Sequence, residues 1–589
     1  MPFPAMESWL ARHRIAVLFA IVLASIALRG LYSAQLSAGP GIAFHRLDET
    51  DMNYYDRWGW QVAHGDWLST AIGVPMHPWH RDVAAQYFAD HPDARTALQR
   101  EAAAPADTDA LLWSRWLGPR QFYQDPLYAY LIAGTYRVAG ADVRYVFAWQ
   151  MAMGVLANVL IWSLSRRFFG EVVAACAALL ALLCGLLMYY ELILLRESAI
   201  VFAGLALTWL IDRAFARGGW TDFAALGVSL GLAMILKSTF VLAVLAVGVA
   251  IAVRYRHDRQ ALVAAAGAAT VGLLLAVTPV VARNVAVGAP PLALASSGPL
   301  TFGFSNDVGY RVESGFAIDD RQMAQAMSAT GSRWIPTIIQ TLGAHTVASF
   351  FSLVWRKWDR VWHWHEIPNN ENIYYMRRLA PVLAWLPVTF WILSPLGLTG
   401  LALGAGRFKQ AWPLYVLVAC CVAPLLMFYV LGRFRVALAA AIVPFAALTL
   451  VQLLAWLSAR RYSRVLACAA ILVLLALWTG RVTASDRPLI RPSDWVTPYL
   501  SEYRTRIKTA MDAQNREGAV AAFFEFFRYE PSPAALDPSS GGDVAVFFGR
   551  MHADCAALLN ELGRTAEARV QMNRAEQFLR LAPDSETKR

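Results

Sequence analysis

Apolar runs long enough to cross a bilayer recur from residue 14 to residue 480, separated by short basic clusters and two long polar stretches. The first run, to about Leu31, follows Arg12, His13 and Arg14 and reads as an uncleaved signal anchor with its N-terminus inside. Further spans are expected at about 145–164, in pairs within 171–214 and 220–253, at 260–281, and at roughly 381–404, 411–431, 436–457 and 464–480. The first pair breaks near Tyr189-Tyr190-Glu191 and Arg196-Glu197, the second near Lys237. Pro126 to Gly140 is too short and aromatic for a span and reads as an interfacial helix, because tyrosine rings favour the headgroup level. The pattern predicts an all-α polytopic membrane protein with about 11 transmembrane helices.

Charge fixes the expected orientation. With the N-terminus inside, the inner connections are 166–167, 213–217, 254–259, 407–409 and 460–464, each rich in arginine, as the positive-inside rule requires. Residues 36–125 and 282–380 then become outer loops, periplasmic if the membrane is a bacterial inner (cytoplasmic) membrane. The 589 residues are 57% hydrophobic and 16% charged, against nearer a quarter charged in soluble domains. The net charge of +10 is spread over the connections and not gathered on one face, so nucleic acid is not an expected partner. Cys176, Cys184, Cys420, Cys421 and Cys468 lie in apolar runs and only Cys555 in a polar one, which gives no disulfide framework and no zinc spacing.

Beyond residue 480 the composition turns polar, and 481–589 reads as a small outer helical domain after a membrane domain of 1–480. Two segments there echo each other: Met511 to Pro531 around Gly518, Ala519 and Ala521, and Cys555 to Pro583 around Gly563, Ala566 and Ala568. A glycine turn, small residues on the second helix and a closing proline resemble tetratricopeptide helix pairs. The glycines stand 45 residues apart, so an insertion at Pro533 to Gly542 must be assumed. A generic helical cap is the competing reading.

Candidate chemistry collects just after the first span, where Asp48, Glu49, Asp51 and Asp56 are interleaved with Tyr54, Tyr55, Trp58 and Trp60. A helix from Thr50 would put Asp51, Tyr54, Tyr55 and Trp58 on one face and leave Asp48 and Glu49 at its positive N-terminus, where a carboxylate stays ionised. A solvated loop face is the bland alternative. Gly65-Asp66-Trp67 closes the unit.

Asp48-Glu49-Thr50, a tyrosine soon after, then Gly65-Asp66-Trp67 resembles the first outer loop of the GT-C glycosyltransferases. It is most similar to the family 39 branch of protein O-mannosyltransferases and lipid A aminoarabinose transferases. Asp125-Pro126-Leu127-Tyr128, Thr278-Pro279 with Arg283-Asn284, and Gly432-Arg433-Phe434-Arg435 resemble later motifs of that branch. The resemblance covers 14–480. It implies inverting transfer of a sugar from a polyprenyl-phosphate donor to a lipid, glycan or protein acceptor, with Asp48 as base and Glu49 orienting acceptor or sugar. Glu366 resembles the acid of a Glu-x-Pro in the last large loop, and Tyr54, Tyr55 and Asp125 are further candidates for acceptor or sugar contact. One departure is clear: where the aminoarabinose transferases carry a lysine before Pro-Pro-Leu-Tyr, this chain has Gln124 and Asp125.

A leaving phosphate needs fixed cations, and arginine's fork suits it. Lys237, Arg283, Arg433 and Arg435 stand at expected outer ends of spans. Snorkelling to lipid headgroups is the alternative for each, and a helix N-cap is the alternative for Asp125. Glu197 either serves the site or pairs locally with Arg196. His363, His365 and Glu366 suggest zinc only weakly, since adjacent strand positions face opposite ways, and an aromatic loop over the site is the preferred reading. No cofactor is expected, and a divalent metal is not indicated. A transporter would keep its charges mid-bilayer and show inverted repeats, whereas here the charges collect in outer loops and no halves match. A non-catalytic scaffold binding partners through its C-terminal helices would leave the Asp48 cluster without a purpose.

Overall fold

The computed structural model describes residues 3–47, 50–101, 107–314, 319–369, 371–483, 503–528, 530 and 542–581. Every regular element among them is helical, and the chain divides into two compact units. The larger comprises Met1–Gly30, Glu49–Ile367 and Leu386–Arg481; the smaller comprises Leu31–Asp48, Pro368–Trp385 and Val482–Arg589.

The larger unit is a bundle of apolar helices around Gly432–Ser458, in which 78% of the most apolar stretch is buried, against 11% for Tyr462–Gly480. Phe390–Gly404, Glu171–Leu182, Phe408–Met427, Glu197–Arg217 and Val143–Phe169 pack on this central helix. In lipid, helices gain little from apolarity alone and associate through close backbone approach at small residues. A β-carbon on Gly400 would stand 1.9 Å from Phe445 O, and one on Gly227 2.0 Å from Ala269 O, so these helices touch backbone to backbone.

Among the described residues, seven helices are long and apolar enough to span, nine if two bent pairs count as spans. This count by length and apolarity does not confirm the expected total of 11. The stretch 220–253 forms helices of only 17 and 14 residues, Trp220–Leu236 and Val241–Arg254. Phe390–Gly404 and Phe408–Met427 are joined by one turn of 3-10 helix, across which Tyr415 OH donates to Leu401 O at 2.8 Å. Glu171–Leu182 and Gly185–Leu192 meet at 57°.

The basic connections are tied by ion pairs. Arg14 reaches Glu171 at 2.5 Å, Arg167 reaches Asp212 at 2.9 Å, and Arg213 reaches Asp222 at 2.8 Å. Glu7 caps the start of Glu171–Leu182 by accepting the N–H groups of Glu171 and Val172.

In the smaller unit, Gln35 Oε1 accepts the Val382 N–H at 2.8 Å. Two helix pairs follow, 503–512 with Arg516–Phe527 and Gly542–Glu561 with Thr565–Leu579. Ala519, Val520, Phe523, Cys555, Leu559 and Ala568 form their shared core. Gly563 turns the second pair at φ 73°, as a glycine turn should. In the first pair the left-handed turn residue is Gln514 at φ 55°, and Gly518 lies inside the next helix, its N–H capped by Asn515. The insertion at Pro533 to Gly542 falls almost wholly outside the described residues.

Gly400→Ala is expected to lower stability by about 1–3 kcal/mol through overpacking. Gly406→Ala, where a β-carbon meets nothing within 4 Å, should leave it unchanged. Thermal unfolding of the detergent-purified protein measures both, and equal melting temperatures would refute the close packing.

Candidate functional site

Thr50 caps the helix Asp51–Ala63, its hydroxyl accepting the Asn53 N–H at 3.2 Å. The face of Asp51, Tyr54, Tyr55 and Trp58 is buried throughout, so this face of the helix is not a solvated surface. It packs on Leu127–Ala139, with Tyr55 edge-on to Tyr128 at 4.9 Å.

Asp51 is the hub. Arg433 Nη1 lies 2.6 Å from its Oδ2, Gln124 Nε2 donates to its Oδ1 at 2.8 Å, and His77 Nε2 stands 3.8 Å from Oδ1. Tyr55 OH holds Gln124 in turn by donating to its Oε1 at 2.5 Å. Burial by itself would raise the Asp51 pKa, but the charges of Arg433 and His77 and the hydrogen bond from Arg433 outweigh it and hold the carboxyl below its ordinary 3.8. Asp51 is therefore an ionised, buried carboxylate.

Beside it the broken helices present more charge. Between residues 189 and 197 the α-helical ladder lapses, and Gln150 Nε2 satisfies the freed carbonyls of Glu191 and Ile193 at 2.9 and 3.0 Å. Tyr128 OH donates to the same Gln150 side chain at 2.5 Å. Irregular backbone between apolar helices persists only where its polar groups are filled in this way. The break delivers Arg196, whose Nη1 donates to Asp125 Oδ2 at 2.8 Å and to Leu236 O, the last carbonyl of Trp220–Leu236, at 3.2 Å. Lys237 follows that helix end with its ammonium 4.4 Å from the Phe434 ring, which Arg433 approaches at 4.7 Å. Arg196, Glu197, Arg433 and Asp125 all act electrostatically on Lys237. Asp51, Asp125, Arg196, Glu197, Lys237 and Arg433 thus make one cluster drawn from five parts of the chain.

Other expected residues go elsewhere. Asp48 and Glu49 lie outside the described residues. Arg435 is 1% exposed and spends its fork on the carbonyls of Arg360, His363 and His365 and on Glu366 at 2.7 Å. Together Arg435 and Glu366 clamp the loop that precedes Phe390–Gly404. Arg283 donates to Leu68 O, Arg120 O and Ser69 O and stacks 3.9 Å over Phe122, which fastens loop to loop. Tyr54 OH donates to Gly73 O at 3.2 Å. Asp125 makes no cap at the start of Leu127–Ala139, and Arg196 pairs with Asp125 instead of its neighbour Glu197. His363 Nε2 lies 2.8 Å from Arg481 O, and the described residues hold no group of three metal-ligating side chains.

Asp51 was the residue most underrated by sequence. Its i, i+3, i+4, i+7 face was visible, but the family motif favoured Asp48. His77 carried no local signal, because it acts through a carboxylate distant in sequence, and Gln124 stood out only as a departure from the family's lysine.

Residues 123–282 match the family model of the dolichyl-phosphate-mannose-protein mannosyltransferases. The GT-C resemblance read from the motifs is borne out by this match, which starts at Tyr123 and takes in Asp125, Arg196, Glu197 and Lys237. No curated protein matches the chain. Among solved structures, the archaeal oligosaccharyltransferase AglB from Archaeoglobus fulgidus, in complex with an inhibitory peptide and a dolichol-phosphate, is similar at 15% identity and a TM-score of 0.35. That likeness covers 75% of this chain and 59% of the archaeal one, so the chain spans about three fifths of that length. ArnT from Cupriavidus metallidurans, bound to undecaprenyl phosphate, is similar at 13% identity and a TM-score of 0.32, over 85% of this chain and 76% of that one.

Asp51→Asn leaves the Arg433 charge buried without its partner, and is expected to cost about 3–5 kcal/mol. Because the folded-state pKa of Asp51 is depressed, its contribution is complete above the ordinary value of 3.8 and is lost as pH falls through the folded pKa. Acidification from about pH 5 to about pH 3 should therefore destabilise the wild type more than the variant. Parallel melting curves across that range would contradict the ion pair.

Proposed function

We propose that the chain is an inverting glycosyltransferase of the GT-C type, moving a sugar from a polyprenyl-phosphate donor to a lipid, glycan or protein acceptor. The carrying observation is a buried, mixed-charge cluster at the broken ends of apolar helices, with Lys237 making no ion pair or hydrogen bond with any described residue. A half-buried ammonium without a hydrogen-bond partner favours an anion beside it. A lipid phosphate supplies one while its chain stays among the apolar helices.

Arg433 lies close enough to share that phosphate, because it and Lys237 approach the same ring. In the reaction, an acceptor oxygen attacks the anomeric carbon on the face opposite the phosphate and loses its proton to a carboxylate base. The carbon–oxygen bond to phosphate breaks, and the phosphate keeps the electron pair. Lys237 and Arg433 favour this step by holding the oxyanion as its charge grows. The base is Asp48 by match to the family motif, with Glu49 beside it; both precede the capped helix whose N-terminus favours negative charge. Asp51 is a positioning residue here: it sets Arg433. Membrane lipids are the surrounding partner, and the basic connections favour a bacterial inner membrane with the N-terminus cytoplasmic and the tetratricopeptide-like C-terminal helices periplasmic.

Lys237→Ala and Arg433→Ala should each weaken binding of undecaprenyl phosphate to the purified full-length protein roughly 10-fold or more, the scale of a lost charge-assisted bond. Unchanged affinity in both would remove them from the phosphate site. Asp48→Asn should leave folding and lipid binding intact and abolish sugar transfer; a well-folded variant turning over at the wild-type rate would end the base assignment.

A further inference from the structure

The charges of the cluster sum to zero, but not all of them form ion pairs. Asp51 is matched by Arg433 and Asp125 by Arg196. Lys237 and Glu197 are left over. Glu197 opens the helix Glu197–Arg217, is 3% exposed, and accepts no hydrogen bond from a described residue; its Oε2 is fully enclosed. The helix N-terminus favours its charge, yet a buried carboxylate without a donor carries an unrecovered desolvation cost. Glu197 acts electrostatically on Lys237, Arg196, Tyr55 and Tyr128, so it belongs to the same site. Asp125 Oδ1 is a second enclosed carboxylate oxygen without a donor.

A ligand that completes this arrangement must carry an anion for Lys237 and, close by, neutral hydrogen-bond donors for the two carboxylates. A sugar phosphate has that composition. We propose that Glu197, assisted by the open oxygen of Asp125, is the sugar-recognising residue of the site, accepting hydrogen bonds from hydroxyls of the donor sugar. The proposal rests on the polyprenyl-phosphate-sugar reading above and deepens it. Within the cluster, Lys237 and Arg433 hold the phosphate while Glu197 and Asp125 read the sugar. Arg196 holds Asp125 in place and ties it to the end of Trp220–Leu236.

The test titrates purified full-length protein in detergent with undecaprenyl phosphate and with a panel of undecaprenyl-phosphoryl hexoses and pentoses. Wild type is expected to bind at least one sugar-bearing lipid roughly 10-fold tighter than the bare lipid, the scale of hydrogen bonds to a charged acceptor. Glu197→Gln should lose most of that margin, read as the ratio of sugar-bearing to bare-lipid affinity. Glu197→Asp, which withdraws the charge by one methylene, should do the same. Lys237→Ala should weaken both ligands equally.

A sugar margin retained in both Glu197 variants, or no margin for any sugar in the wild type, overturns the inference and leaves the phosphate reading standing. Loss of bare-lipid affinity in both Glu197 variants also overturns it, by making Glu197 a support of the phosphate site. Failure of the wild type to bind undecaprenyl phosphate overturns the underlying reading itself.

Discussion

The ion pair between Asp51 and Arg433 joins residues 382 positions apart, and the rest of the site is arranged to make it affordable. Removing both charges from water is costly, and their mutual attraction offsets that only with good geometry and further hydrogen bonds. Gln124 and His77 provide the remainder at Asp51, and Tyr55 fixes Gln124. The pair fastens the loop helix Asp51–Ala63 to the first turn of Gly432–Ser458, the most buried helix of the larger unit. The helix that carries Asp51 thereby becomes part of the bundle.

Breaks in the helices are how the chain delivers charge to this place. A continuous span would bury Arg196, Glu197 and Lys237 among apolar side chains; helix ends instead expose them to one another. Each break needs its own polar repair. Gln150 fills the carbonyls of Glu191 and Ile193, and Arg196 itself fills that of Leu236. The charges that build the site also mend the backbone that carries them, which couples folding of the spans to assembly of the site.

Four cations looked equivalent in the sequence and met different fates. Arg433 and Arg435 are two residues apart, about 200° around a helix, so one faces Asp51 and Phe434 while the other turns into the 360–366 loop. Arg283 sits where loop carbonyls converge and is used up by them. Lys237 makes no hydrogen bond or ion pair with a described residue and lies against the Phe434 ring. Snorkelling was the wrong alternative for Arg283 and Arg435, which are buried on protein atoms.

Apolar periodicity and arginine-rich connections by themselves determined an all-helical membrane bundle, most span boundaries, the capped helix after Thr50 and the paired helices near the C-terminus. Those features depend on local composition and on the cost of exposing backbone to lipid, both readable residue by residue. The order of motifs along the chain also pointed to the GT-C class. Which charges pair was decided only by tertiary structure: Asp51 takes Arg433, Asp125 rather than Glu197 takes Arg196, and Glu366 closes on Arg435. Pairing in a low-dielectric interior depends on angstroms between helices distant in sequence, and no spacing along the chain encodes that distance.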